Sequence, residues 1–175
     1  MSRWLLVRLA CVAFGTVAAS FNVTAHRSGV SSITQTANCP ITRVGSPPFS
    51  PPAPYPETAP PGTFWYGTEG LWTMLRVDGT WERLPHNANG FRQKVFWWHP
   101  GFDGRTEQKP ELTVMGRRLD GDGSFTRLPP ATNASNAGFG GWTILTGIDV
   151  PTTGCWELTG SYRGNTLTFV VSIAP

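Results

Sequence analysis

The C-terminal third of the chain alternates. In "GWTILTGIDV", residues 141–150, Trp142, Ile144, Thr146, Ile148 and Val150 fall on one side of an extended backbone. In residues 154–162, Trp156, Leu158 and Tyr162 share a face. After a turn at Arg163-Gly164-Asn165, Leu167, Phe169, Val171 and Ile173 share another. Period-two alternation is the pattern of a strand with one buried side. Upstream, "GLWTMLRVDGTWERLP" reads as a hairpin turning at Asp78-Gly79, a dipeptide that tolerates positive φ. "FRQKVFWWHP" and "ELTVMGRRLDGDGSFTRLP" supply further strands, with turns at Pro100-Gly101 and across residues 120–123. The sum is seven to nine short strands between residues 62 and 175, with no amphipathic helix. Short strands at this spacing predict an all-β, antiparallel β-sandwich.

The pattern breaks down before Gly62. Residues 47–61, "PPFSPPAPYPETAPP", hold eight of the sixteen prolines, which fix φ and remove backbone donors. They cannot join a helix or the interior of a sheet, so an extended, semi-rigid arm is expected. Residues 20–38 are rich in Ser, Thr and Asn and show little periodicity. The first nineteen residues read as a signal peptide: Arg3 and Arg8 supply a positive start and Leu9 to Ala19 an apolar run. A cut after Ala19 leaves Val17 and Ala19 at the two small-residue positions; cuts after Ser20 or Ala25 are alternatives. The run is too short to span a bilayer, and Arg8 spoils the approach to Cys11 that lipidation would need. The expected organisation is therefore a signal peptide over 1–19, an arm over 20–61 and a sandwich over 62–175, in a secreted, periplasmic or envelope protein that is not membrane-spanning after processing.

Processing changes both the charge and the cysteine count. The chain has 14 basic and 11 acidic residues; losing Arg3 and Arg8 leaves 12 against 11. A nucleic-acid partner calls for a clustered basic surface, which is not present. Three cysteines become two, Cys39 and Cys155, in a compartment where thiols oxidise. Cys155 lies on the side of its strand opposite Trp156 and Leu158. It is thus not an inter-sheet core cysteine but one that would be an exposed thiol unless bridged. A Cys39–Cys155 disulfide pinning the arm to the outer face of that strand is the expectation.

Chemistry is scarce. His26, His86 and His99 stand at no spacing that recruits a metal or builds a nucleophile–base pair. No catalytic residue, metal ligand or cofactor is therefore assigned. "LDGDGSF" opens like a calcium loop with Asp120, Asp122 and Ser124, but Phe125 and Ala131 stand where Gly and a bidentate acid are needed. A Gly-rich hairpin turn is the better reading. Tryptophan is the loudest signal, with seven of eight retained after processing. Trp97 and Trp98 are adjacent, so in a regular strand they point to opposite faces. One of them leaves the core and becomes either a sugar-stacking candidate ligand surface or a surface for the proline arm to cover.

The closing strands resemble those of immunoglobulin-like domains. With "PTTGCWELTG" and "LTFVV" they also resemble the C-termini of a set of uncharacterised exported bacterial proteins, over about the last thirty-five residues. The resemblance implies an immunoglobulin-like sandwich and an export route, and no activity. "GFGG" (138–141) and "PTTG" (151–154) are similar to loop motifs of chagasin-type cysteine-protease inhibitors, in reversed order and with Cys155 after the glycine. The preferred function is a non-catalytic exported interaction or envelope-associated domain with an unknown protein or glycan partner. A carbohydrate-binding module using exposed Trp, an enzyme of unrecognised type and a protease inhibitor of immunoglobulin-like fold are the alternatives.

Overall fold

The computed structural model describes residues 39–127, 131–136 and 141–175. The expected signal peptide, residues 20–38 and most of "GFGG" lie outside the described residues. The described residues form one compact unit. Eleven strands are described: β1 (Thr63–Thr68), β2 (Leu71–Arg76), β3 (Thr80–Trp81), β4 (His86–Asn87), β5 (Gly90–Trp98), β6 (Thr113–Arg118), β7 (Ser124–Arg127), β8 (Thr132–Asn136), β9 (Gly141–Val150), β10 (Gly154–Tyr162) and β11 (Asn165–Ile173). Two of them, β3 and β4, are only two residues long. No helix among the described residues is long and apolar enough to cross a membrane.

The strands form two sheets. One runs β1-β2-β5-β9-β8, with β4 also on β5, and the other runs β3-β11-β10-β6-β7. Pairing is antiparallel except between β3 and β11, which run parallel. The alternating residues read from the sequence meet between the sheets: Ile144, Ile148 and Val150 from one, Trp156, Leu158, Phe169 and Val171 from the other. At the centre the Trp97 ring lies on the backbone of β10. A Cβ added at Gly160 would stand 2.3 Å from its Cζ3, so only glycine fits there. The same ring is 5.7 Å from that of Phe169. Its Nε1–H donates to Thr146 Oγ1 at 3.0 Å, which satisfies the indole inside the core.

The expected hairpin at Asp78-Gly79 does not form. β2 pairs with β1 across Glu69-Gly70, and β3 crosses to the other sheet to join β11. The tight turn itself is present. Asp78 Oδ1 accepts from Thr80 N–H at 2.9 Å, and Gly79, at φ 67°, closes the turn with its N–H on Arg76 C=O at 3.0 Å. The strand after it, β3, is too short to lie back along β2. The turn at Arg163-Gly164 does make its hairpin; both residues take positive φ, 47° and 77°, as a two-residue loop between twisted strands requires.

The arm over residues 39–61 lies against the sandwich. They cross the molecule as a strap. Thr42 N–H donates to Val170 C=O at 2.9 Å and Thr42 Oγ1 accepts from Val170 N–H at 2.8 Å, covering part of the β11 edge that β3 is too short to reach. Further along, Phe49, Tyr55 and Ala59 pack on a second apolar cluster, Trp65, Trp72 and Trp98, on the outer face of the six-stranded sheet. The centroids of Phe49 and Tyr55 lie 6.3 and 5.0 Å from that of Trp72.

Candidate functional site

Trp97 and Trp98 do point to opposite faces of β5, but neither is a ligand surface: both are 0% exposed. Trp97 fills the space between the sheets. Trp98 stands edge-on to Trp65, centroids 5.0 Å apart, in the cluster beneath the strap. Burying an indole removes about 150–250 Å² of largely apolar surface from water, and the strap supplies the second wall that a two-layer sandwich lacks on its outside. The Trp platform for sugar stacking is thereby corrected. Of the remaining described tryptophans, Trp81 and Trp156 are also buried and Trp142 is half-buried.

Cys39 and Cys155 are joined, with Cα atoms 5.5 Å apart across 116 residues of sequence. Cys155 sits on the outer face of β10, as its phase demands, and is nevertheless only 3% exposed because the start of the strap lies over it. The bridge fixes the strap at one end, and its continuation into β1 fixes the other.

The acid, base and hydroxyl candidates gather mainly at one end of the sandwich, around the 99–112 loop and the β10–β11 turn. Tyr162 Oη–H donates to Glu107 Oε2 at 2.7 Å, and Arg163 Nη2 donates to the same oxygen at 2.6 Å. Arg163 Nη1 also donates to Gly101 C=O at 2.6 Å. His99 Nδ1 accepts from Gly101 N–H at 2.9 Å, which places the proton of the neutral ring on Nε2. Burial, then the neighbouring Arg163 charge, lowers the His99 pKa, against the opposing pull of Glu107. Burial and the Glu107 carboxylate raise that of Tyr162. Asp103 accepts from Arg105 N–H and begins the turn that positions Glu107. His86 lies at the far end of β5, against Phe91. Among the described residues no side-chain hydrogen bond joins any two of His86, His99, Asp103 and Glu107. His99, Asp103 and Glu107 each hold a loop in place.

The acidic turn between β6 and β7 has the same character. Asp120 accepts from Arg118 Nε at 2.7 Å. Burial pushes its carboxyl up, but Arg118 and the Cys155 N–H outweigh that and hold it low. No grouping of three or more metal-ligating side chains occurs among the described residues.

The broad open face is the outer side of the five-stranded sheet. Register sets its rows: Thr126, Met115, Thr159 and Thr168 lie side by side, and Ser124, Arg117 and Glu157 form the next row. Arg117 Nη2 meets Glu157 Oε1 at 2.9 Å, and the Thr159 and Thr168 hydroxyls lie 2.9 Å apart. Met115, 49% exposed, stands at the centre beside a groove of about 360 Å³ along β7, β6 and β10. Sequence reasoning misses these residues because hydroxyls and one charge pair on a strand's polar face look like ordinary solvated surface. Met115 is the one available signal, an apolar residue out of phase with Val114.

No family model, curated protein or solved structure matches the chain.

Proposed function

We propose that the chain is an exported, non-catalytic interaction domain of immunoglobulin-like type that presents the β7-β6-β10-β11 face to its partner. The strand order supports the type. β2, β5, β9 and β8 take the places of strands A, B, E and D, and β11, β10, β6 and β7 those of G, F, C and C′. The contact of Trp97 with Gly160 then stands where strands B and F of antibody domains are bridged by a disulfide. The resemblance of the closing strands to exported bacterial proteins and the Cys39–Cys155 bridge support the compartment.

One observation carries the functional reading: the two outer faces are treated differently. The six-stranded sheet has its outer aromatics sealed by the strap, whereas the five-stranded sheet leaves an open face with a half-exposed methionine, paired hydroxyls and one ion pair. An unsealed face of mixed polarity is the composition of a non-obligate protein interface. The carbohydrate alternative has lost the Trp97–Trp98 platform on which it rested.

Photo-crosslinking in the native host tests this. A benzophenone amino acid at Met115 should give a discrete covalent adduct in the envelope or secreted fraction, and the same group at Val77, equally exposed on the β2–β3 turn, should not. Equal yields at both positions, or none at Met115, would overturn the assignment of the face.

A further inference from the structure

The strap and the trough beneath it make a ligand and a receptor in one chain. Trp72 is fully buried, and its indole Nε1–H has no hydrogen-bond partner among the described residues. Met74 and Phe96 extend the apolar surface around Trp65, Trp72 and Trp98. Upon it lies "PPFSPPAPYPETAPP", whose Phe49 and Tyr55, six positions apart, both reach the Trp72 ring. Among the described residues the hydrogen bond that its backbone makes over 44–59, Tyr55 N–H to Pro52 C=O at 3.1 Å, is internal to the strap. Attachment there is by side-chain packing, the way aromatic grooves hold proline-rich segments whose backbone lacks donors. The strap can therefore leave without breaking a sheet ladder. Its fastenings are the Cys39–Cys155 bridge, the Thr42–Val170 pair and Arg43 Nη1 on Val77 C=O at 2.8 Å.

We infer that the outer face of the six-stranded sheet is a recognition site for proline-rich segments bearing spaced aromatic anchors, closed in cis by residues 47–61 and opened by reduction of Cys39–Cys155. The reductant is a dithiol. One of its thiolates attacks Sγ of Cys39, the more exposed of the two residues, and Cys155 leaves as thiolate. The second dithiol sulfur then displaces Cys39. The dithiol becomes a disulfide, and the two cysteines take up its two electrons and end as thiols. With the bridge gone, the core between the sheets is untouched, because Trp97, Phe169, Ile144 and Leu158 owe nothing to the strap. The strap remains tethered through β1 and competes with any incoming segment at an effective concentration of about millimolar. The site is thus one for an abundant or multivalent partner. This inference concerns the sheet opposite the proposed interaction face and does not depend on it.

The test uses the full exported chain, oxidised or treated with dithiothreitol, with three readings on each. Glu-specific protease should cut after Glu57, and trypsin after Arg43, at least about tenfold faster in the reduced chain. Amide exchange in β6 and β10 should stay protected in both. The synthetic peptide PPFSPPAPYPETAPP should shift the Trp72 indole N–H signal of the reduced chain at about millimolar concentration or below. It should leave the oxidised chain unchanged, and a peptide with both anchors replaced by Ala should do nothing. A Cys39→Ala, Cys155→Ala chain should behave as the reduced protein does. Equal protection of the strap in both states overturns the proposal. So does loss of β6 and β10 protection on reduction, which would make the bridge a staple of the whole fold. Failure of the peptide to bind the reduced chain, or binding to the oxidised chain as well, overturns it too.

Discussion

Replacing Gly160 by alanine should cost the sandwich about 2 kcal/mol. The added Cβ would stand 2.3 and 2.4 Å from two atoms of the Trp97 six-membered ring. That ring cannot swing clear, since Phe169 lies 5.7 Å away on one side and Thr146 holds its Nε1 at 3.0 Å. Forcing one methyl into a packed core costs about 1–3 kcal/mol. Displacing the indole forfeits a hydrogen bond worth about 1 kcal/mol. Alanine in place of a strand glycine returns about 0.5–1 kcal/mol by restricting the unfolded chain. At about 4 °C per kcal/mol for a domain of this size, the melting temperature should fall by about 8 °C. Calorimetry with the bridge intact measures it. Gly147→Ala in β9, where nothing lies within 4 Å of the new Cβ, is the control and should change little. If Gly160→Ala melts with the parent, the two sheets do not meet through Trp97 and the account of the core is wrong.

Trp72→Ala should cost about 3–5 kcal/mol and free the strap, read as faster cleavage at Arg43 and Glu57 in the oxidised chain. Acid should weaken the fold in two separate steps. His99 has a folded pKa below its unfolded value of about 6.5, so its contribution is complete above that value and is lost as pH falls from there through the lower folded pKa. Asp149, hydrogen-bonded to Arg92 and Asn87 and held at about 2 in the fold, contributes above pH about 4 and is lost toward 2, by about 1 kcal/mol after solvent screening. Urea midpoints between pH 7.5 and 2 measure both; His99→Gln should flatten the upper step and Asp149→Asn the lower. Met115→Asp should leave stability within about 0.5 kcal/mol of the parent while removing partner contact in the crosslinking assay.

Much of the fold is legible from phase. Residues 142–150, 154–162 and 165–173 alternate so cleanly that their buried faces follow from the letters, and the phase of Cys155 places it on the outside of β10. The crossing of β3 is not legible, because Asp78-Gly79 encodes a local turn. Whether the chain then folds back or crosses depends on the partner edge of β11, over ninety positions away. The fate of Trp98 is a choice between two covers, and only Phe49, Tyr55 and Ala59 in place over the sheet decide it. Register hides the open face too: no one segment carries the Thr126–Met115–Thr159–Thr168 row, which exists only when four strands lie side by side.

The most direct check of an exported sandwich pinned by its strap is a mass-spectrometric map of the protein recovered from the exported fraction without reduction. The account predicts an N-terminus just after the apolar run, at Ser20 for a cut after Ala19. It also predicts tryptic peptide 28–43, containing Cys39, joined to peptide 128–163, containing Cys155. A chain that keeps Met1 and yields two alkylatable thiols would contradict both the compartment and the strap.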